Sequence, residues 1–168
     1  MGTNHMGRQS IRFPQPPVVR GFASVAGKKE REGPLGDQFT ATVQDTTFGE
    51  KSWERAERRM QQMTLELALE KAGLTDADLD AAFAGDLLNQ CIGSSFSLRN
   101  RGVPTLGLYG ACSTMAESLL LAAMSVSGGY ARTALAMTSS HFASSERQYR
   151  FPLGYGGQRT PTSQWTVT

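Results

Sequence analysis

The chain has 168 residues, enough for one domain with a substantial core. Its 17 Lys and Arg against 15 Asp and Glu leave a formal charge of only +2, which argues against nucleic acid or an anionic membrane as the main partner. No stretch reaches the ~18 consecutive apolar residues that a transmembrane helix requires.

The opening "MGTNHMGRQS" has no apolar core of a signal peptide and reads as a non-native extension ahead of Met6 or a native disordered tail. Residues 1–17 are expected to be flexible. "VVRGFASVAG", Val18 to Gly27, reads as a first strand, rich in Val with small residues for close packing. "KKEREGPLGD" follows as a charged, Gly- and Pro-punctuated surface loop. Gly21 to Lys28 is not a phosphate-binding loop. Five residues separate the glycines where four are required, and Lys29 stands where Ser or Thr is needed.

"SWERAERRMQQMTLELALEKAG" is the clearest helix. Trp53, Ala56, Met60, Met63 and Leu67 recur at three- and four-residue steps and predict one apolar face, with the charged residues facing solvent. Ser52 is placed to cap its start and Gly73 to close its end. A capped turn then leads into a short strand, Ala81 to Gly85. "LLNQCIGSSFSLRNRG" predicts a helix ending near Gly102, and "VPTLGLYG" another buried strand. A helix from Ser113 to Ser127 stops at Gly128-Gly129, and "ARTALAMTSS" is a further strand. Alternating strands and helices with short connections predict an α/β fold with a mostly parallel sheet flanked by helices. The long polar stretch from His141 to Gln164 has the length of a functional or disordered loop. "WTVT" begins what reads as another strand, so the chain is expected to continue.

Two cysteines, Cys91 and Cys112, are too few for a disulfide framework and do not form a Cys-x-x-Cys pair. His141 is the only histidine beyond the N-terminal tail. No metal site or cofactor is therefore expected, and a reducing compartment is. Cys112 sits at a strand-to-helix joint, where ligands gather in open parallel sheets. The helix start there favours a thiolate nucleophile, and equally binds a carboxylate with no chemistry. A buried, inert thiol is the third alternative. A nucleophile needs a proton partner, and His141, at another strand end, is the candidate; a hydrogen-bonded structural histidine is the alternative. Thr138, Ser139 and Ser140 surround it. No Gly-x-Ser-x-Gly signature is present.

Four motifs carry a family resemblance: "AGDLLNQ", "GACST", "AMTSSH" followed by "SERQYRFPLGYGGQ", and "GKKEREGPLGD". Together they resemble the thiolase superfamily, and most of all its stage V sporulation branch from spore-forming bacteria, over residues 18–168. The resemblance implies a five-layered αβαβα fold of two similar halves, of which this chain matches the first. It puts Cys112 at the acyl-carrying position of the catalytic members, whose histidines and second cysteine or asparagine come from the other half. Thiolase relatives are usually dimers, so the resemblance implies a homodimer, and for the sporulation branch it implies a non-catalytic protein. That protein binds pyridine-2,6-dicarboxylic acid (dipicolinic acid) and helps move it, with calcium, into the developing spore. Membrane proteins of the same stage V sporulation A operon are the implied partners, with peripheral attachment at the spore's inner membrane. A planar aromatic dianion wants donors at both ends and an apolar wall between. The expected ligand-binding residues are Cys112, Ser113, Thr114, His141, Asn89 and Arg147, with Asp86 and Arg150 as weaker candidates. The alternative is an acyltransferase or condensing enzyme that uses Cys112 as its acyl nucleophile.

Overall fold

A computed structural model describes residues 4–141 and residue 144. Seven strands and four helices are described: β1 (His5–Met6), β2 (Ser10–Ile11), β3 (Val25–Gly27), α1 (Lys28–Arg31), β4 (Ala41–Val43), α2 (Trp53–Ala72), β5 (Ala81–Gly85), α3 (Ile92–Leu98), β6 (Thr105–Leu108), α4 (Thr114–Ser127) and β7 (Ala134–Thr138). The predicted long loop after His141 and the "WTVT" strand lie outside the described residues, as do Arg147 and Arg150.

The centre is a three-stranded parallel sheet in the order β6-β5-β7. The chain steps from β5 to β6 through α3, then back past β5 to β7 through α4. Because parallel crossovers are right-handed and these two run in opposite directions, α3 and α4 belong on opposite faces. The side chains agree with that. Ala82, Ala84 and Met137 point to the face where Leu65 of α2 and Leu98 of α3 close the core. Phe83 and Leu108 point to the other face, against Ala122 of α4. The period-2 alternation along "AAFAG" thus serves two helical layers.

The ends of α2 form as the sequence predicts. Ser52 Oγ accepts from the Arg55 amide at 3.3 Å, and Gly73 takes a left-handed φ of 65° that lets Leu74 N reach back to Leu69 O at 3.0 Å. Its buried face differs from the predicted one. Ala56 and Met60 are buried, whereas Trp53, Met63 and Leu67 are half-buried, and Glu57, Gln61 and Leu65 complete the inner stripe. The expectation that all charged residues of this helix face solvent is corrected at Glu57, which is 0% exposed. Hydroxyls from neighbouring elements line that stripe and make a polar interior tenable there.

Three further expectations are revised. Of the predicted strand Val18–Gly27, only Val25–Gly27 pairs, in parallel with Ala41–Val43; Val18, Val19 and Phe22 are largely exposed. The predicted helix before Gly102 is confined to Ile92–Leu98, because Gln90 and Cys91 take left-handed φ values of 60° and 50°. The strand predicted as buried at "VPTLGLYG" is the edge of the described sheet, and only Leu108 of β6 is buried. Inside the predicted surface loop at "KKEREGPLGD", α1 forms a single turn. Within residues 1–17, β1 and β2 pair as a small exposed antiparallel hairpin.

The helix α4 is apolar nearly all round. It carries one charged residue, Glu117, buries Thr114, Ser118 and Ala122 towards the sheet, and exposes Met115, Leu119, Leu120 and Met124. Helices of that composition are ordinarily covered on both sides. No helix of the described residues is long and apolar enough to cross a membrane.

Candidate functional site

In a sheet ordered β6-β5-β7 the strand order reverses between β5 and β7, and open α/β folds form a ligand crevice beyond the carboxyl ends at such a switch point. Asp86 and Asn89 lie on the β5 loop, Cys112 to Thr114 on the β6 loop, and Ser139 to His141 follow β7. Of the six predicted binding residues, the fold brings five to one end of one sheet. The sixth, Arg147, lies outside the described residues.

Asp86 organises the β5 loop. It is 1% exposed, accepts Leu88 N at 2.8 Å through Oδ1, and accepts both Ser94 N at 2.7 Å and Ser94 Oγ at 2.6 Å through Oδ2. It thereby caps the first turn of α3 from a distance, which is where a carboxylate is favoured. Asn89 opens the short 3-10 turn Asn89–Cys91 on this loop. Cys91 is buried, its thiol donates to Leu108 O at 3.1 Å, and burial pushes its pKa up. This second cysteine therefore links β6 to α3 and is a poor nucleophile.

The β6 loop is a tight elbow. Ala111 holds a left-handed φ of 50°, a conformation that costs a non-glycine residue about 1 kcal/mol and that clusters at functional sites. The turn is stapled by Thr114 Oγ1, which accepts from Gly110 N at 3.1 Å, and by Ser113 Oγ, which donates to Gly110 O at 2.7 Å. Thr114 is buried and Ser113 exposed. These two hydroxyls are thus committed to shaping the elbow. Cys112 is exposed at its tip, which removes the alternative of a thiol sealed in hydrocarbon. Tyr109 OH donates to Leu87 O at 3.4 Å and ties this loop to the β5 loop.

The β7 loop turns inward. His141 is 2% exposed, and burial pulls its pKa down, so the imidazole is neutral near pH 7. Its Nε2 lies 2.7 Å from Thr46 O and its Nδ1 accepts Ser144 N at 3.4 Å, which together define the Nε2–H tautomer. Phe48 meets the ring edge-on at 6.2 Å between centroids, and Trp53 lies tilted over it at 5.7 Å. Both nitrogens are therefore engaged by backbone groups of Thr46 and Ser144 rather than by Cys112. The histidine acts as a buried post between the 46–48 loop, the start of α2 and the β7 loop.

Sequence reasoning missed the polar network beneath these loops. Glu57 accepts from Ser139 Oγ at 2.6 Å and from Ser144 Oγ. Gln61 donates to Ser139 Oγ at 2.6 Å and Ser94 Oγ at 3.2 Å, and accepts from Ser97 Oγ at 2.6 Å. Desolvation holds the Glu57 pKa above the usual carboxylate range, against the pull of the two serine hydroxyls. The available signal was Glu57 and Gln61 at i and i+4, in register with Leu65 on the inner stripe. A separate cavity of about 320 Å³ lies between α3 and the β5–β6 pair, lined in part by Ser94, Arg99 and Thr105, and none of the predicted residues lines it. Among the described residues no cluster of three His, Cys, Asp or Glu side chains is placed to hold a metal ion.

A parallel α/β sheet whose strand-end loops carry an exposed thiol, a strained elbow and a buried histidine defines a class of protein: an α/β domain with a strand-end site. The chain is more narrowly placed by its sequence relatives. The family model for stage V sporulation protein AD (SpoVAD) matches residues 7–168. The stage V sporulation protein AD of Bacillus subtilis (strain 168) is 44% identical over 162 residues, covering 96% of this chain and 48% of that protein. The chain belongs to the SpoVAD family, a family of sporulation proteins. It spans about half the length of the curated relative it matches.

Proposed function

We propose that this chain forms the first half of a non-catalytic, thiolase-like protein that binds dipicolinic acid at the carboxyl ends of β5, β6 and β7. The observation that carries the reading is the gathering of Asn89, Cys112–Thr114 and His141 at one sheet end, around the switch point between β5 and β7. One carboxylate of the ligand meets the elbow at Cys112, where the α4 dipole favours negative charge. The second is met by Arg147, through a charge-assisted and potentially bidentate bond. The engagement of His141 with Thr46 and Ser144 supports binding over catalysis, since it leaves Cys112 without that base.

Family membership supports the sporulation setting: uptake of the ligand into the developing spore and its release in germination. In this reading the protein is a homodimer, works with the membrane proteins of the stage V sporulation A operon, and sits peripherally at the spore's inner membrane. The apolar outward face of α4 supports the five-layered fold, in which the second half of the protein covers it. Calorimetry with dipicolinic acid on the full-length protein tests the reading. Saturable heat at or below millimolar ligand is expected, and its absence refutes it.

The exposure of Cys112 at a helix start favours one other reading, an acyltransferase with this thiol as acyl carrier. That reading requires a mass increase on Cys112 after incubation with acyl-CoA. An unmodified thiol rules it out.

A further inference from the structure

We propose that Glu57 is a positioning residue of the strand-end site: its buried carboxyl ties Ser139 and Ser144 to α2 and so fixes the segment that ends in His141. Glu57 is 0% exposed, and among the described residues no Lys or Arg pairs with it. Its partners are hydroxyls. Oε1 accepts a hydrogen bond from Ser139 Oγ at 2.6 Å and Oε2 accepts one from Ser144 Oγ. Ser139 has one proton to give, so its remaining bond is as acceptor, from Gln61 Nε2 at 2.6 Å. Ser144 in turn presents its amide to His141 Nδ1 at 3.4 Å. The carboxyl therefore holds Ser139 and Ser144, and the imidazole of His141 is bonded to the amide of the second.

Gln61 extends the same hold to the neighbouring loop. It reaches Ser94 Oγ at 3.2 Å, and Ser94 donates to Asp86. Two of the three loops at the sheet end are thus joined beneath the site by side chains from α2. A buried carboxyl without a cation is costly, and an apolar side chain of similar volume would pack on the stripe beside Leu65 without that cost. A glutamate here makes sense as a device that fixes conformation. The effect on ligand affinity rests on the proposed dipicolinic acid site, whereas the anchoring does not.

The test compares Glu57→Gln, Glu57→Met and Glu57→Ala with the parent in the full chain. Two readouts are taken: hydrogen exchange of the Ser139 and Ser144 amides, and dipicolinic acid affinity by calorimetry. Gln keeps an acceptor for one serine and offers a donor to the other, so E57Q is expected to stay within about threefold of the parent in both. Met fills the space without the bonds, and E57M is expected to speed exchange and weaken binding by about tenfold, the scale of one lost charge-assisted hydrogen bond. E57A is expected to do at least as much. If E57M behaves like E57Q, Glu57 is mere packing and the proposal falls. If E57A does not fold, the Met and Gln pair still decides. Should the parent bind no dipicolinic acid, the functional reading fails, and the exchange rates alone decide the role of Glu57.

Discussion

Replacing Gly85 by alanine puts the junction between β5 and the elbow under a direct test. Gly85 pairs with Leu108 at the last register position of β5 and β6. A Cβ added to it would stand 2.1 Å from Leu108 O and 2.6 Å from Thr114 Cγ2. Non-bonded atoms settle near ~3.5 Å, so the strand ends must part by about 1.4 Å. The obstacle on one side is backbone, which cannot rotate away. Overpacking of that kind costs roughly 1–3 kcal/mol, and parting the strands weakens at least one ladder hydrogen bond worth about 1 kcal/mol. The expected loss is therefore about 2–4 kcal/mol, which in a chain of this size lowers Tm by roughly 5–15 °C. Gly107, one residue earlier on β6, is the control. Its added Cβ meets nothing closer than Cys91 at 3.9 Å, and alanine is better than glycine in a strand by about 0.5–1 kcal/mol. Thermal and urea unfolding of the full chain should give the two substitutions opposite signs. Equal midpoints for Gly85→Ala and the parent would refute the close approach of β5 to the elbow.

Cys112 is exposed and Cys91 is buried, bonded and raised in pKa, so iodoacetamide on the native protein should alkylate Cys112 first; peptide mass mapping that finds Cys91 modified equally fast overturns that placement. The two buried titrating groups give opposite pH slopes. His141 has a depressed pKa, so its contribution is present above the unfolded value of about 6.5 and lost as pH falls through the folded pKa; His141→Asn should flatten that acid loss in urea midpoints measured across the range. Glu57 has a raised pKa, so its contribution is present below about 4.3 and lost as pH rises through the folded pKa; E57Q should remove that alkaline-side decline. Leu65 is 1% exposed between β5, α3 and β7, and Leu65→Ala should cost about 2–5 kcal/mol by chemical denaturation, against under ~1 kcal/mol if that core cluster is wrongly drawn.

Much of the fold was legible because local signals and tertiary demands agree. "AAFAG" became β5 at its predicted bounds, since small alternating residues suit a strand packed on both faces. Ser52 and Gly73 closed α2 as expected, because a cap and a left-handed glycine act within one turn. The strand-end cluster was legible for a different reason: in a parallel α/β sheet, topology alone carries every βα loop to one end. What failed depended on distant partners. Val18 and Val19 have strand-forming side chains, but nothing among the described residues pairs with them. Gln90 and Cys91 look helical until Asp86 draws Leu88 N and Ser94 N onto its carboxylate and bends the chain between them.

The misreading of α2 has the same origin and bears most directly on the site. Periodicity ranked Met63 and Leu67 as core and Glu57 as surface, because hydropathy assigns a carboxyl to water. In the fold, the stripe that faces the sheet is Glu57, Gln61 and Leu65, three positions four residues apart. Its lower part meets carbon from Leu79, Ala82 and Leu98; its upper part meets the hydroxyls of Ser94, Ser97, Ser139 and Ser144. One helix face thus changes from apolar to polar at the level where the strands end and the loops begin. A polar floor there is satisfied only if "SSFS" and "TSS" occupy the elements it faces, so those serines and the two α2 residues form a single requirement spread over 88 positions, from Glu57 to Ser144. Apolar substitutions on both sides would retain a core while releasing the loops. The polar stripe therefore accounts for how the loops that carry Asn89 and His141 are joined beneath the sheet end, and it locates their rigidity in α2, while the Cys112 elbow is held by its own hydroxyls and by Tyr109.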